Sequence, residues 1–598
     1  MIYDLRFTND ESARYHAYMK NVTCSPKRKV NLIWKIIIGM VIFLLLVAGT
    51  LFTIGYFYYG KIIKNYIIET VKRESKGLYR ADIGHLRFNV LAGNLSILDM
   101  ELIPDTALYR KTSIADSSSP MLFQLKMKQF KVSDFRVLEA VRNRRINISA
   151  IRFSNPEVTV FKMAPSSKAK EDRPGNKLMS IPLPKGWNAI SIGEIKLENG
   201  KVDFYDLSGD SVKHYSIPSC DILVKNILAD SAHQGKRRLF NADDISIRLA
   251  GLVFKTKNGL NEISLGEIGL STGNNSLTIS NFHLTPQFNR YDYTRKVGFQ
   301  TDRMDIYVKK IMVQRLNLRE LILAGKVQAG LLEADSLVID DYRDKRIPRK
   351  PGFRPPMPQD GLRKLKTYLK IDTVLLNGGK ATYSEQVNNE PGTLFFDKLK
   401  ATLTGVTNDS LLLAAGLVSE LKGTAYLMGK GKLDATIRFK FGDLRNAFTF
   451  SAQMGPMDLP AINPMLTKLL PAEVKSGKIK QLIIPMVVAN DDEARGKLLF
   501  YYNDLSIAMT TKKETTWNAI KKGVINFVAN DLVVNNDNPT KSGKMKTGII
   551  LFHRDKEKGI INFLWKSTMS GLKSTMGFNS KEQKEIKKTE KREKKAKK

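Results

Sequence analysis

The residue types that usually carry catalysis or bind metals are dispersed in this 598-residue chain. The chain has two cysteines, Cys24 and Cys220, and no His-Glu-x-x-His segment or Cys/His cluster with the spacing of a zinc site. The six histidines are His16, His85, His214, His233, His283 and His553. These residue types predict no catalytic site, no metal site and no cofactor, so the chain is not expected to be an enzyme.

Other candidates for polar chemistry are better explained as turns. The glycine-rich segment at Gly429 (GKGK) has a strand-like context without a following helix, which argues against a phosphate-binding loop. The carboxylate pairs Asp340-Asp341 and Asp491-Asp492 fall at predicted turns, where aspartate is favoured for local hydrogen bonding. We interpret them as solvated turn residues.

The repeated apolar positions have the strongest pattern, and their chemistry is the burial of hydrocarbon. Gly84–Pro104 aligns without a gap on Gly266–Pro286, at an offset of 182, with apolar character kept in register at a strand period. A second match pairs 192–206 with 371–385 at an offset of 179. The positions predicted to form one apolar face are Leu86, Phe88, Leu95, Ile97, Leu197, Phe204, Ile268, Leu270, Leu277, Ile279, Leu376 and Tyr383.

The elements that position these residues are predicted to be strands of a repeat array. Residues 151–162 align without a gap on residues 195–206, and each is predicted to be a hairpin with Asn-Pro or Asn-Gly at its turn. The fold class is therefore mainly β, one long repeat array of strands with a few short helices. Two proline-rich basic segments, 162–179 and 342–360, are predicted to be mobile insertions that project from an edge.

The N-terminal part contains an uncharged, largely apolar stretch at 36–59. At about 1.5 Å per residue this stretch spans a bilayer core of roughly 30 Å. Its length and the absence of a small-x-small motif favour a transmembrane helix over a cleaved signal peptide. Basic residues at 27–29 precede it and tyrosines close it, which predicts a cytoplasmic N-terminus and a body on the other side of the membrane.

The pattern divides the chain into eight parts. They are a cytoplasmic segment 1–35, the transmembrane helix 36–59, an amphipathic connector helix 60–81, β-repeat unit one 82–262, β-repeat unit two 263–422, a C-terminal β region 423–559, an amphipathic terminal helix 560–578 and a disordered lysine-rich tail 579–598.

The distribution of charge narrows the classes of partner that the chain is expected to bind. The net charge is +37, and the segment 581–598 carries ten Lys or Arg against four Glu. Elsewhere Lys and Arg mostly alternate with apolar residues along strands, unlike the basic patches with interleaved aromatics of nucleic-acid-binding modules. A solvated basic face and attraction to anionic headgroups both remain open, and nucleic acid is not an expected partner.

The C-terminal region carries a family resemblance. The segments LPAINPMLTKLLPAEVKSGKIKQL and ARGKLLFYYNDLSIAM, with Asn463-Pro464, Ser476-Gly477, Gly496 and Tyr501, resemble the AsmA-like proteins of diderm bacteria, the AsmA/TamB-type β-taco proteins of the bridge-like lipid-transfer superfamily. The resemblance implies a single N-terminal inner-membrane helix followed by an elongated, curled repeat β-sheet, a periplasmic β-taco groove whose concave face is apolar. Phospholipid is the partner that the resemblance implies. It also implies a role in phospholipid transport to the outer membrane or in its maintenance.

Two questions stay open at the level of sequence. Alternation alone also fits a closed β-sandwich or barrel filled by its own side chains, and the residues by themselves favour that closed core, whereas the resemblance favours the groove. Two other functions compete with lipid transport. One is an assembly factor that guides outer-membrane β-barrel proteins by strand addition, and the other is an anchored protein that binds polyanions through its basic tail and loops.

Overall fold

The computed structural model describes residues 59–89, 92–111, 121–163, 186–208, 212–230, 241–470, 472–509, 536–577 and 579–596. The predicted cytoplasmic segment and the predicted transmembrane helix lie outside these ranges, apart from Tyr59. Among the helices within these ranges, none has the length and apolar character needed to cross a bilayer.

The prediction of a mainly β fold is confirmed, since twenty strands form one mixed sheet. Unit one contains β1 (Tyr79–Asn89), β2 (Asn94–Pro104), β3 (Met121–Phe135), β4 (Arg145–Lys162), β5 (Ala189–Asp206), β6 (Lys213–Asp230) and β7 (Asp244–Lys255). Unit two contains β8 (Asn261–Ser271), β9 (Ser276–Pro286), β10 (Asp302–Gln314), β11 (Val327–Asp344), β12 (Leu369–Gln386), β13 (Pro391–Thr407) and β14 (Ser419–Leu427).

The sheet ends in six further strands and is flanked by ten helices in the described residues. The strands are β15 (Gly431–Phe439), β16 (Phe448–Met454), β17 (Met457–Asp458), β18 (Ala472–Ala489), β19 (Glu493–Met509) and β20 (Thr547–His553). The helices are α1 (Tyr59–Glu74), α2 (Thr106–Lys111), α3 (Val137–Asn143), α4 (Arg290–Val297), α5 (Leu318–Ala324), α6 (Pro358–Arg363), α7 (Ser410–Ala414), α8 (Asn463–Leu469), α9 (Ile560–Met576) and α10 (Lys581–Ala596). A short 3-10 turn, Leu459–Ile462, precedes α8.

The sheet is open in the described part of the chain. Strands pair in sequence order except that β16 pairs with β18, and the outermost strands β1 and β20 pair only with β2 and β19. All twenty strands belong to this sheet, so neither a two-sheet sandwich nor a closed barrel is formed by the described residues. At about 4.8 Å per step, the steps from β1 to β20 give a contour of roughly 85 Å.

The two units correspond strand by strand. The β1–β2 hairpin, at 79–104, recurs as the β8–β9 hairpin, at 261–286, with both strands shifted by the offset of the sequence repeat. Each unit also contains one parallel pair, β4 with β5 and β11 with β12. A parallel pair requires a long crossover connection, so the two proline-rich basic segments are the crossovers of equivalent pairs.

The second crossover differs from the predicted mobile insertion. Gln359 donates a hydrogen bond to the backbone oxygen of Asn446 at 2.9 Å, and Arg349 lies 3.4 Å from Glu557. Through these contacts, polar side chains of the crossover bind acidic and carbonyl groups of the C-terminal region. The contacting positions are far apart in the chain. The centre of the first crossover, residues 164–185, lies outside the described residues.

The predicted hairpins at 151–162 and 195–206 are wrong. Each segment is part of one continuous strand, and the two strands lie side by side in parallel with Ile151 opposite Ile195. Asn155 and Asn199 have φ of 50° and 52°, so each makes a mid-strand irregularity instead of a turn. Asparagine is common both in hairpin turns and in mid-strand irregularities because it tolerates left-handed φ.

Left-handed residues recur at mid-strand across both units. They are Asp99, Asn155, Asn199, Gly251, Asn281, Ser336, Gly378 and Lys398, with φ between 49° and 84°. We call this line the crease. It resets the alternation of side chains, because Ile97 and Met100 lie on either side of Asp99 at an odd spacing and yet belong to the same buried cluster.

The crease explains why both repeats begin with glycine. A Cβ on Gly84 would lie 3.2 Å from the Cβ of Asp99, and a Cβ on Gly266 would lie 3.0 Å from the Cβ of Asn281. Asp99 and Asn281 are themselves equivalent positions of the repeat. Glycine is therefore favoured where the first strand of each unit approaches a left-handed residue of its partner, since any Cβ there would be crowded.

Two helix predictions need correction. The connector helix ends at Glu74, not at residue 81, because Lys76 and Gly77 adopt left-handed φ and β1 begins at Tyr79. The prediction of a disordered tail is also wrong for most of that segment, since α10 forms there. Ser580 and Gln583 exchange hydrogen bonds of 3.0 and 3.1 Å in a capping box, which starts a helix rich in good helix formers.

Two large cores lie at opposite ends of the sheet. The first packs Ile63, Ile67 and Val71 of α1 against β1–β5. The second joins β15–β20 to Phe563 and Met576 of α9 and to residues of the second crossover. The described terminal helix therefore covers the end of the strand array within the range predicted for it, 560–578.

Candidate functional site

A single row of apolar residues crosses the sheet. Each member lies directly opposite the next on the neighbouring strand, so all members project from the same face. The row consists of Leu86, Ile97, Phe130, Phe153, Leu197, Ile222, Ile247, Leu270, Leu277, Val313, Leu332, Val374, Leu403, Leu421, Ile437, Phe450 and Val487, one from each of seventeen strands. We call this row the ladder.

Burial of the ladder changes along the sheet. At the first end Ile97 and Phe130 are 0% and 2% exposed, and at the other end Phe450 and Val487 are 6% and 0% exposed. The members between them, from Leu197 to Ile437, are partly exposed. The two large cores thus bury the ladder at its ends. In its middle, a small third core around Leu318 of α5 packs against Leu270, Leu277, Val313, Leu332 and Val374, and the members stay partly exposed.

A second apolar row runs beside the middle of the ladder, on the side nearer the crease. Its members are Leu249, Ile268, Ile279, Ile311, Ala334, Leu376 and Ala401. On the opposite face, the positions next to the ladder are mostly polar, as with Lys196, Ser246 and Thr278. The sheet is therefore two-sided, apolar on the ladder face and polar on the other.

The twelve predicted face residues distribute over these rows. Five of them, Leu86, Ile97, Leu197, Leu270 and Leu277, are ladder members. Three more, Ile268, Ile279 and Leu376, are in the second row. Phe88 and Leu95 face each other at the tip of the first hairpin, and Phe204 and Tyr383 lie across the crease. Ladder members such as Ile222 and Ile247 were missed, since their strands have no repeat partner that stands out in sequence.

Tyr383 has a polar environment that sequence did not indicate. Its hydroxyl donates to Glu385 Oε2 at 2.7 Å, and burial together with Glu385 raises its pKa. Glu385 also pairs with Lys345 at 2.6 Å, and Arg343 pairs with Asp302 at 2.5 Å. The ladder face thus ends in a charged rim at this edge of β10–β12.

Asp341 lies in the same rim, directly opposite Tyr383. It is 8% exposed, and its Oδ1 has no hydrogen-bond partner among the described residues. Burial, followed by the nearby Asp302, raises the pKa of Asp341 to about 8 from an ordinary value of 3.8. The folded protein therefore holds this carboxyl in its neutral form over most of the physiological range.

Replacing Asp341 with Asn is expected to change the pH dependence of stability. Because the folded state has the higher pKa, the contribution of Asp341 is present below about pH 4 and is lost as pH rises towards 8. Asparagine resembles the neutral acid and does not ionise. The unfolding free energy of the variant should therefore gain on the order of 5 kcal/mol relative to the parent across this window, since each pKa unit is worth about 1.4 kcal/mol.

Chemical denaturation at several pH values measures this difference. Asp340→Asn, on the other face of the same strand, is the control for removal of a carboxylate at this position. If the unfolding free energies of Asp341→Asn and the parent protein differ by the same amount at every pH, the expectation that Asp341 is neutral in the folded protein is contradicted.

The opposite face contains a polar hollow of about 590 Å³ over β5–β9. Arg248 on its wall pairs with Asp221 at 2.9 Å and approaches Glu267 at 3.7 Å. Gly269 lies in the same wall. Charged and hydroxyl groups share the lining of this hollow with apolar residues such as Leu223, so it differs from the continuous apolar surface of the ladder.

Classical reactive groups occupy structural positions. Cys220 is 8% exposed, and burial raises its pKa to about 11, which disfavours a thiolate nucleophile. Residues 269–273 match the Gly-x-Ser-x-Gly pattern of hydrolases, but they lie at a β-hairpin and not at a strand-to-helix turn, and Ser271 donates to Asp244 at 3.0 Å. In the part of the chain that the structure describes, no group of three or more His, Cys, Asp or Glu residues is arranged to hold a metal.

Comparison with known proteins found no match for this sequence among protein-family models or curated proteins. Its function must therefore be inferred from the ladder, its covered ends and its charged rim.

Proposed function

We propose that this protein is a membrane-anchored, non-enzymatic lipid conduit or chaperone that holds phospholipid acyl chains along the ladder. The observation that carries this proposal is the continuous apolar ladder on an open sheet, whose members from Leu197 to Ile437 are partly exposed. Hydrocarbon chains complement such a strip, because burial of apolar surface is worth about 25 cal/mol per Å² and needs no polar partner. The polar groups of the lipid would remain in water at the strand edges.

The remaining parts of the proposal come from the sequence. Residues 36–59 would anchor the chain in the inner membrane with the N-terminus in the cytoplasm, and the sheet would extend through the periplasm. The resemblance to AsmA-like proteins supports this arrangement and a concave, groove-like ladder face. It also supports a role in phospholipid transport to the outer membrane and in maintenance of that membrane.

The alternative, assembly of outer-membrane β-barrel proteins through strand edges, is less well supported at β20. The backbone amides of Ile549 and Leu551 donate to Ser574 and Ser570 of α9 at 3.0 and 3.2 Å. Gln583 of α10 donates to the backbone oxygen of Ile549 at 2.7 Å. The terminal helices therefore occupy hydrogen-bonding groups of the edge that an added strand would need.

Photocrosslinking in living cells tests the proposal. A photoreactive phenylalanine analogue at Ile247, a ladder position, is expected to give phospholipid adducts, whereas the same group at Ser246, on the opposite face, should give few. The adducts are identified by mass spectrometry of the purified full chain. Equal lipid labelling at the two positions, or adducts only with outer-membrane barrel proteins at β1 or β20, would reject the lipid conduit.

A further inference from the structure

A buried lysine lies just before the terminal helix α9. Lys558 is 9% exposed, and its ammonium group has no hydrogen bond or ion pair with any residue that the structure describes. Most of the side chain is buried, but the ammonium nitrogen is not among the fully buried atoms without a partner, so an anion can reach it. Lys558 is therefore a cation for which the described residues supply no counter-ion.

The surroundings of Lys558 are positive. Burial, followed by Arg349, Arg343 and Lys345, lowers its pKa to about 8 from an ordinary value of 10.5. The nearby carboxylates already have cations of their own. Lys345 holds Glu385, Arg343 holds Asp302, and Arg349 lies 3.7 and 3.4 Å from Asp555 and Glu557. Asp555 acts on Lys558 in the opposite direction, but none of these carboxylates forms an ion pair with Lys558, so its ammonium group is left to pair with an added anion.

The backbone adds a second source of positive potential. Lys558 is followed by Gly559, the N-cap of a 17-residue helix, and no side chain caps that helix. The first-turn amides and the helix dipole both favour a negative group at this end. Lys558 and Gly559 are both buried, so an anion here would be held in a partly enclosed site.

The position of this site relative to the ladder connects it with the proposed lipid function. Helix α9 covers the C-terminal end of the ladder, where Gly571 packs against Ile550 and Leu498. Arg343 and Lys345, which contribute to the potential at Lys558, belong to the charged rim of the ladder face. An acyl chain on the ladder could thus extend from a group bound at the start of α9.

We propose that Lys558, Arg349 and the N-terminus of α9 form a binding site for a phosphate group. If the proposed lipid function holds, the natural source is the phosphodiester of a phospholipid headgroup; the same chemistry would also accept free inorganic phosphate. Phosphate oxygens would accept from the ammonium, the guanidinium and the helix amides.

The test uses the purified full chain with Lys558→Met, which removes the charge and keeps the aliphatic stem. Lys556→Met is the matched control, since Lys556 is exposed and already pairs with Asp492 at 2.8 Å. One arm compares capture of phosphatidylethanolamine and of diacylglycerol with the same acyl chains from vesicles. The other arm measures the thermal midpoint with and without inorganic phosphate.

The parent protein and Lys556→Met are expected to prefer the phospholipid over diacylglycerol by about tenfold, and Lys558→Met should lose this preference while it captures diacylglycerol normally. A midpoint raised by inorganic phosphate only when Lys558 is present, without lipid discrimination, would assign the site to free phosphate. If no lipid is captured, the lipid function fails and the phosphate arm alone decides the site. An unchanged preference and an unchanged response to phosphate in Lys558→Met would overturn the proposal.

Discussion

Replacing Ile222 and Ile247 together with Asp is expected to reduce phospholipid transfer between vesicles by at least about tenfold. These two ladder residues face each other on β6 and β7, in a part of the strip that none of the described core clusters covers. Each acyl chain that packs against carboxylates at this point would displace their hydrating water, at a cost of several kcal/mol. Neither residue belongs to a buried core cluster, so the fold should persist.

The matched control is Leu223→Asp with Ser246→Asp. This pair lies on the same two strands, directly opposite one another, but on the polar face. Transfer of a fluorescent phospholipid, normalised to folded protein by circular dichroism, should remain near the parent value in the control. Equal loss in both variants would mean that charge or stability, and not the ladder, limits transfer.

Replacing Gly548 with Val is expected to release α9 from the sheet and to lower the unfolding free energy by about 3 kcal/mol. A Cβ on Gly548 would overlap the backbone oxygen of Gly571 and the hydroxyl of Thr575, both on the helix. The helix backbone cannot retreat locally, so it must move away as a unit. The second core would then lose the packing of Phe563 against Phe448 and Phe552.

Hydrogen exchange gives a direct readout of this release. The amides of Ile549 and Leu551, which donate to serines of α9, should lose protection in Gly548→Val. Gly269→Val is the control, because a Cβ on this strand glycine meets nothing within 4 Å. Retained protection in Gly548→Val, with normal stability, would contradict the close packing of helix and strand.

The sequence indicated the strand array and its two units because hydrophobic periodicity is local. Repeated pairs such as Leu95 and Leu277 revealed the period, and the glycines at 84 and 266 marked its start. The continuity of the ladder could not be predicted, since it depends on register across strands as distant as Phe153 and Leu197. Register follows from pairing, which a single sequence does not encode in any local pattern.

Some errors have identifiable causes. Asn199-Gly200 is a strong turn signal, but the same left-handed φ serves a strand irregularity when a partner strand continues alongside. Lys558 carried no signal at all, because its burial arises beside a crossover that lies far earlier in the chain. The residue pattern alone also did not distinguish an open sheet from a sandwich, because both have the same alternation, and only the family resemblance favoured the groove.

The single parallel pair in each unit fixes the direction in which the next unit starts. If every strand in a seven-strand unit were antiparallel to the one before it, the first strand of the next unit would run in the opposite direction. One step without a reversal restores the original polarity, so β1 and β8 run the same way and their hairpins lie at the same edge. Successive units are thus related by translation, and duplication of one unit would lengthen the sheet by about 34 Å while preserving the identity of both edges. The length of such a sheet can therefore change by whole repeat units while the structures at its two ends stay the same.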